Sequence, residues 1–212
     1  MALNVGYPKY YRKEFAGGLA RFYDIIFLIT SLGLENGARK KILDFISGKD
    51  KRILDLATGT GSSAVIIKNR FDNSKVYGVD LSENMLEIAR KKNKDIEFSL
   101  QNIEKTDFKP DSFDIVTISF GLHEIPLENR HKTMKEAHRL LKRNGKLIIL
   151  DFYTPRNIFL KALFLLFIKV AEPYGKSFLK QKLVKDLKKY DFKKVKEINY
   201  YNGLFQIVYG VK

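Results

Sequence analysis

The chain has 212 residues and not one cysteine. This absence excludes disulfide bonds, thiolate metal sites and a cysteine nucleophile. No secretory signal is predicted, because Met1 to Tyr11 is polar and aromatic without an apolar core. The apolar segment of residues 19–32 is too short and too interrupted to span a membrane. We therefore expect a cytoplasmic protein and predict no metal site.

Acidic residues are the scarcer charge, with 24 Asp and Glu against 39 Lys and Arg, for a formal net charge of +15. The excess is uneven, since residues 151–212 hold 13 basic and 5 acidic residues. A basic surface attracts the phosphates of nucleic acids or of an anionic membrane face. A lysine-rich solvated surface without a partner explains the same composition, and the sequence leaves both interpretations open.

The central part of the chain alternates between apolar strands and amphipathic helices. Strands are predicted at 51–57, 75–80, 96–100, 113–119 and 146–152, and helices at 62–71, 82–92 and 127–141. Strands that alternate with helices at this spacing indicate a doubly wound, mostly parallel sheet with helices on both faces. A length of 212 residues suits one such α/β domain with modest additions.

The two ends of the chain differ from this pattern. Two helices are predicted near the N-terminus, at 19–32 and 35–47. After the fifth strand come an apolar segment at 158–170 and a basic amphipathic helix at 176–190. Strands at 194–200 and 204–211 flank Asn202-Gly203, which is a strong hairpin signal. We predict seven strands that close with an antiparallel hairpin, organised as an N-terminal helical cap (1–48), a core (51–152), a helical lid (153–190) and the hairpin (192–212).

One short stretch organises the core, from Arg52 to Gly61. Its strand runs into a glycine turn, and Gly59 and Gly61 permit backbone angles and close ligand approach that a side chain would forbid. Ser62 then opens a helix and is available to cap it. The free N–H groups of such a turn predict a nucleotide or nucleoside site in an open α/β sheet. The spacing Gly59-x-Gly61-x-x-Ala64 also fits a dinucleotide fingerprint, and a tight turn without a ligand is a further interpretation.

Side chains near the other strand ends extend this site. Asp80 ends the second strand, where a carboxylate can accept hydrogen bonds from both hydroxyls of a ribose; a solvent-facing turn residue is the alternative. Asn102 follows the third strand and could read an adenine edge. Leu81, Met85 and Ile103 could sandwich the ring, although packing alone would explain each of them.

Two further positions face the same crevice. Ser119 and Phe120 end the fourth strand there. Asp55 points toward the glycine loop, where its carboxylate could hold an amino group or order the turn.

These motifs together resemble the class I S-adenosylmethionine (SAM)-dependent methyltransferases, and within them the ubiquinone/menaquinone-biosynthesis C-methyltransferase family. The resemblance rests on Tyr23-Asp24 with Ser31 to Leu34, on Ile53 to Gly61, Val79 to Leu86, Asp111 to Leu122 and Leu140 to Leu147. It implies SAM as cofactor. The predicted cofactor contacts are Tyr23, Asp55, Ala57, Thr58, Gly59, Thr60, Gly61, Asp80, Leu81, Met85, Asn102, Ile103 and Ser119.

The chain departs from this family where the acceptor would bind. The family's Ser-Phe-Gly-Leu run usually continues with Arg-Asn, but here His123-Glu124 follows. An ordinary histidine pKa of about 6.5 suits a general base, so His123 is the predicted catalytic residue. A structural role for His123 is the alternative, and Glu124 could orient it or act as the base itself. His131 and His138 are expected at the surface or in packing.

The sequence favours a methyltransferase for a small aromatic or lipidic acceptor, and a quinone precursor is one candidate. The segments 158–170 and 19–32 could form an apolar lid over it, and the lysines in and after 158–170 would favour an anionic membrane surface. Two core helices that pack on the sheet are the alternative interpretation. A phospholipid or other N/O-methyltransferase is the main alternative. A nucleic-acid methyltransferase is less favoured, because the chain has neither the catalytic cysteine nor the Asn/Asp-Pro-Pro-Tyr loop that such enzymes use. The closing hairpin argues against an NAD-dependent oxidoreductase. A non-catalytic cofactor-binding protein also stays open, and the oligomeric state is not predicted.

Overall fold

The computed structural model describes residues 33–48 and 51–212. The predicted helix at 19–32, the cofactor candidate Tyr23 and most of the predicted N-terminal cap therefore lie outside the described residues. Within these residues, no helix combines the length and the apolar character needed to cross a membrane.

The described residues form one seven-stranded sheet with helices beside it. Its strands are β1 (Arg52–Leu56), β2 (Lys75–Asp80), β3 (Glu97–Leu100), β4 (Phe113–Ser119), β5 (Leu141–Phe152), β6 (Lys193–Tyr200) and β7 (Phe205–Val211). The α-helices are α1 (Leu34–Lys41), α2 (Ser62–Arg70), α3 (Glu83–Lys92), α4 (Leu127–Leu140), α5 (Ile158–Ala171), α6 (Gly175–Leu179) and α7 (Leu183–Lys189). Short 3-10 helices span Ile42–Phe45, Leu122–Glu124 and Tyr201–Gly203.

The strand order β3-β2-β1-β4-β5-β7-β6 confirms the predicted fold. The first five strands are parallel, and β7 runs antiparallel between β5 and β6. The predicted hairpin is confirmed as well, with Asn202 and Gly203 in the left-handed conformation at φ values of 57° and 83°. Glycine and asparagine are the residues that adopt this conformation most readily.

The centre of the sheet explains where a ligand can enter. Ile53, Leu54 and Leu56 of β1 are fully buried, as expected for a parallel strand covered on both faces. Leu56 pairs with Val79 of β2 and with Ile118 of β4. The residues that follow these three strands therefore share one edge of the sheet, at the point where the strand order reverses.

Helices α2 and α3, which follow β1 and β2, have different N-caps. The predicted cap by Ser62 is wrong, because Gly61 occupies the N-cap of α2 at φ 77° and no side chain caps the helix. A Cβ at Gly61 would also lie 2.9 Å from the side chains of Ala89 and Phe98, so only glycine fits. By contrast, Ser82 caps α3 with its side chain, because its hydroxyl accepts a hydrogen bond from the backbone N–H of Met85 at 3.3 Å.

Strand β5 begins earlier than predicted. Helix α4 ends at Leu140, and the chain turns at once into β5 rather than continuing to Asn144-Gly145. Leu141 is fully buried and pairs with Phe113, before a register shift in the β4–β5 ladder. Burial of Leu141 therefore adds five residues to a strand expected to start at Lys146.

Two helices were predicted with the wrong length. The predicted helix at 35–47 is α1 followed by the 3-10 helix Ile42–Phe45. The predicted helix at 176–190 is divided into α6 and α7. The chain leaves the helical conformation at Lys182, the N-cap of α7, with φ −105° and ψ 84°. Arg130 from α4 contacts both sides of α6, because its guanidinium donates to the carbonyl of Tyr174 at 2.8 Å and to the side chain of Gln181 at 3.0 Å.

Candidate functional site

A cavity of about 900 Å³, counted to its open mouth, lies at the carboxyl ends of β1, β2 and β4. Nine of the predicted cofactor contacts line it: Ala57, Thr58, Gly59, Thr60, Asp80, Leu81, Met85, Ile103 and Ser119. Phe120, which was predicted to face the same crevice, also lines it. The remaining lining residues were predicted only in another role or not at all: Arg39, Ser62, Ser82, Gly121, Glu124 and Ile125. The topology thus brings together residues separated by more than eighty positions in the chain.

Asp80 holds the glycine loop in place. Its Oδ2 accepts a hydrogen bond from the backbone N–H of Gly59 at 2.8 Å, and its Oδ1 accepts one from that of Ser82 at 2.9 Å. Burial raises the pKa of Asp80, against the effect of these hydrogen bonds. The carboxylate still lines the cavity, so it joins the loop to the start of α3 and also presents negative charge to a ligand.

The glycine loop leaves its main chain open to the cavity. Gly59 has a φ of 54°, and a Cβ built there meets no other atom within 4 Å. Ala57 adopts the same left-handed region at φ 54° although it carries a side chain. Strained backbone of this kind is concentrated at ligand sites, where the surrounding structure maintains it.

The opposite wall is formed by the end of β4. Phe120 has a φ of 56°, and a Cβ at Gly121 would lie 2.7 Å from that of Ala57, so the two loops approach closely. The buried hydroxyl of Ser119 makes no hydrogen bond to any described residue. Because buried polar atoms are nearly always paired, this hydroxyl indicates a missing partner in the cavity.

Three predicted contacts in the described chain do not line the cavity. Asp55 is buried beneath the loop, and its carboxylate accepts hydrogen bonds from the hydroxyls of Thr117 at 2.6 Å and Thr58 at 2.8 Å. Burial raises its pKa to about 6. Of its two proposed roles, this geometry favours ordering the turn. Gly61 caps α2, and the side-chain oxygen of Asn102 accepts from the backbone N–H of Glu104 at 2.9 Å.

Arg39 is a cavity residue that the sequence did not reveal. Its guanidinium donates to the hydroxyl of Ser63 at 2.7 Å and lies over the ring of Phe120, 4.9 Å from the ring centroid. Only 8% of the residue is exposed. A positive charge so fixed suits an anionic group of a ligand. No local motif marks this position, because it depends on how α1 packs against α2.

His123 lies beside the cavity, in a cluster of carboxylates. Its Nδ1 is 2.7 Å from Oδ1 of Asp151, while its Nε2 lies 3.8 Å from Glu172 and 4.0 Å from Glu124. Burial by itself would lower the pKa of His123, but the charge and hydrogen bond of Asp151, with the charges of Glu172 and Glu124, raise it to about 9. The ordinary pKa expected from the sequence is therefore not found. Of these residues only Glu124 lines the cavity.

The other two histidines pack against aromatic rings, as expected. The ring centroid of His131 is 5.7 Å from that of Tyr190, and the centroid of His138 is 5.0 Å from that of Phe192. Both lie on α4, away from the residues that line the cavity.

A family model described as the ubiE/COQ5 methyltransferase family matches residues 10–205. The chain belongs to this family. The predicted resemblance is thereby confirmed. A demethylmenaquinone methyltransferase of Thermotoga maritima is 36% identical over 138 residues, which are 65% of this chain and 59% of the relative. The chain thus spans less than two thirds of the length of that relative.

Solved structures share the fold at low sequence identity. A possible histamine N-methyltransferase of Thermotoga maritima matches with a TM-score of 0.69 and 24% identity, over 92% of this chain and 98% of that one. Phosphoethanolamine N-methyltransferase 2 of Haemonchus contortus, solved with S-adenosyl-L-methionine, gives 0.70 and 17%, over 98% and 60%. At these identities the comparison concerns the fold alone.

Proposed function

We propose that the protein is a SAM-dependent methyltransferase that acts on a small aromatic acceptor, a quinone precursor. The observation that carries this proposal is the cavity itself, which the carboxylate of Asp80, the open main chain of Gly59 and the unpaired hydroxyl of Ser119 all face. The family, and the name of the Thermotoga relative, support both the reaction and the acceptor class.

The lining residues fit SAM by their chemistry. Asp80 would accept hydrogen bonds from the ribose hydroxyls, and Leu81, Met85 and Ile103 would cover the adenine with apolar surface. Arg39 would pair with the cofactor's carboxylate, and Ser119 would gain its missing partner. Asp55, Gly61 and Asn102 would support the site from behind the lining, while Tyr23 stays a predicted contact outside the described residues.

When bound, SAM supplies a methyl group already activated on a sulfonium. In the transfer, the methyl–sulfur bond would break as the bond to a nucleophilic ring carbon or oxygen of the acceptor forms, and the proton of the acceptor would pass to solvent. The protein has to hold the acceptor in line and exclude water, and such positioning contributes up to roughly 7–11 kcal/mol. We propose that His123 and Glu124 together form the acceptor end, because Glu124 lines the cavity and Asp151 fixes the ring of His123.

Binding and transfer test this proposal on the purified full-length chain. Calorimetry should show one SAM bound per chain and no binding of NAD. With methyl-labelled SAM, the label should enter a ring-demethylated quinol offered beside phosphatidylethanolamine and RNA. Binding of NAD without binding of SAM would refute the methyltransferase. If the label enters the phospholipid instead, the protein is a lipid N-methyltransferase and the proposed acceptor class is wrong.

We further propose that α5 rests on an anionic membrane surface, from which a prenylated acceptor could enter. One face of the helix packs on the core through Phe164 and Ile168, which are 8% and 2% exposed. The other face leaves five large apolar side chains between 60% and 80% exposed: Ile158, Phe159, Leu163, Leu166 and Val170. Lys161 and Lys169 on the same helix are exposed, and a basic chain segment follows it. Apolar area flanked by lysines is the combination that binds an anionic lipid face.

Sedimentation with vesicles tests the membrane contact. The chain should sediment with phosphatidylglycerol-containing vesicles and much less with pure phosphatidylcholine. The double variant Leu163→Gln/Leu166→Gln should lose roughly tenfold in vesicle affinity, because two exposed leucines no longer enter the lipid. The variant Lys196→Gln, on the exposed surface of β6, is the control for a basic residue away from α5. No vesicle binding, or a dimer that this double variant dissociates, would contradict the proposal.

A further inference from the structure

Three metal-ligand side chains converge at the acceptor end. One ligand atom each from His123, Glu124 and Glu172 lies within 4.8 Å of the others. Two of these residues belong to the 3-10 helix after β4, and Glu172 follows the end of α5. The fold therefore brings the third ligand from 48 positions further along the chain, so neighbouring sequence does not explain the cluster.

The imidazole of His123 is oriented as a metal-binding histidine is. Its Nδ1 lies 2.7 Å from Oδ1 of the fully buried Asp151, whose Oδ2 accepts from the backbone N–H groups of Leu122 at 3.1 Å and of His123 at 3.3 Å. A carboxylate on the far nitrogen is the usual support of a histidine ligand, because it fixes the ring and its tautomer. This arrangement directs Nε2 toward the two glutamates.

The Nε2 atom has no hydrogen bond to any residue in the described chain, although only 2% of the His123 side chain is exposed. The carboxylate oxygens of Glu172 and Glu124 stand 3.8 Å and 4.0 Å from it, beyond hydrogen-bonding distance. Ligands about 2.0–2.2 Å from one tetrahedral ion are separated by roughly 3.4 Å. Small side-chain rotations would therefore bring all three atoms into one coordination sphere.

The surroundings favour a cation over a solvated acidic surface. The side chains of Glu124 and Glu172 are 25% and 13% exposed, so both carboxylates are largely withdrawn from water. A single imidazole with two carboxylates suits divalent ions that accept mixed nitrogen and oxygen ligands, such as Zn²⁺ or Mn²⁺. The absence of cysteine leaves no softer competing ligand set in the chain.

We propose that His123, Glu124 and Glu172 bind one divalent cation, with Asp151 as the residue that orients the histidine. Because Glu124 also lines the cofactor cavity, the ion lies next to the space for the acceptor, and its open coordination positions take an acceptor oxygen. This inference rests on the proposed function and gives the His123-Glu124 pair its role there, which is to hold the acceptor through the metal. It revises the prediction from sequence, which included no metal site.

Metal binding is measured directly on the full-length, tag-free protein after treatment with a chelator. Calorimetric titration with Zn²⁺ and with Mn²⁺ should show one site per chain, and Co²⁺ should give visible absorption bands typical of bound ions. The variants Glu172→Gln and Glu124→Gln should each weaken binding at least tenfold, and Asp151→Asn should weaken it by roughly 10-fold or more through the ring of His123. Glu128→Gln is the matched control, because this glutamate on α4 has a side chain that is 80% exposed.

The inference is overturned if the tag-free protein binds none of these ions. It is also overturned if both glutamine variants at the site bind Zn²⁺ as the unmodified chain does, since the metal would then lie elsewhere. Circular dichroism checks the fold of each variant, and Glu124→Gln decides the question if Glu172→Gln does not fold. SAM binding to the metal-free protein is titrated separately. If the protein binds SAM but none of the metal ions, this inference is rejected and the proposed methyltransferase function is unaffected.

Discussion

Replacing Asp80 with alanine is expected to weaken SAM binding roughly 100-fold or more in a calorimetric titration. A carboxylate that accepts two hydroxyl groups of a ribose makes charge-assisted hydrogen bonds of about 1.5–3 kcal/mol each, and both would be lost. The same carboxylate accepts the backbone N–H groups of Gly59 and Ser82, so the loop that faces the cofactor would lose its support as well.

Two companion variants separate ligand recognition from loop support. Asp80→Asn keeps the size of the side chain and one oxygen acceptor, so its loss of affinity should be smaller than that of the alanine variant. Asp95→Ala removes the same charge from an exposed position before β3 and should bind SAM as the unmodified chain does. If Asp80→Ala binds SAM within twofold of the unmodified chain, the ribose is held elsewhere and the assignment of the cavity is wrong.

The core of the fold could be predicted because its strands are buried on both faces. A strand such as β4 shows an almost continuous apolar run, and its predicted bounds are those found. Glycines after β1 and an acid at the end of β2 then mark the edge where ligands enter. The hairpin is equally local, since Asn202-Gly203 specifies its turn by backbone conformation alone.

The part after α5 could not be predicted in the same way. Its sequence has a helical pattern from residue 176 onward, but the helix is interrupted at Lys182. The neighbouring Gln181 accepts from Arg130 through its side chain, and the carbonyl of Tyr174 before α6 accepts from the same guanidinium. That contact joins positions 44 and 51 residues apart. Hydrophobic periodicity reports which face is buried and contains no information about such a polar contact.

In the candidate site, too, residues placed by the strand order could be predicted, whereas residues placed by contacts distant in sequence could not. Residue types at strand ends predicted nine positions of the cavity, since topology alone places them at one edge. Asp55 and Asn102 were chemically plausible contacts, but nearby hydroxyl and N–H groups occupy them. Arg39 reaches the cavity through helix packing, and the environment of His123 depends on Glu172, far along the chain. Neither contact leaves a pattern in the neighbouring sequence.

The variant Arg130→Met is expected to cost about 3 kcal/mol of stability or more. Arg130 is fully buried, and its guanidinium donates to the carbonyls of Leu122 and Tyr174 at 2.8 Å each and to Ser177 and Gln181 at 3.0 Å each. Methionine keeps the apolar length of the side chain but removes all four hydrogen bonds, and a hydrogen bond to a charged group contributes about 1.5–3 kcal/mol. Urea unfolding and the melting temperature measure the loss.

The same contacts tie the acceptor end to the helices above it, because Leu122 begins the 3-10 helix that contains His123, and Tyr174 precedes α6. Arg130→Met should therefore increase hydrogen exchange over residues 172–182 and lower methyl transfer, while SAM binding at the β1–β2 edge changes little. Lys132→Met, a basic residue on the same helix whose side chain is 51% exposed, should leave the melting temperature and transfer almost unchanged. Equal melting temperatures for Arg130→Met and the unmodified chain would show that Arg130 does not hold these segments together.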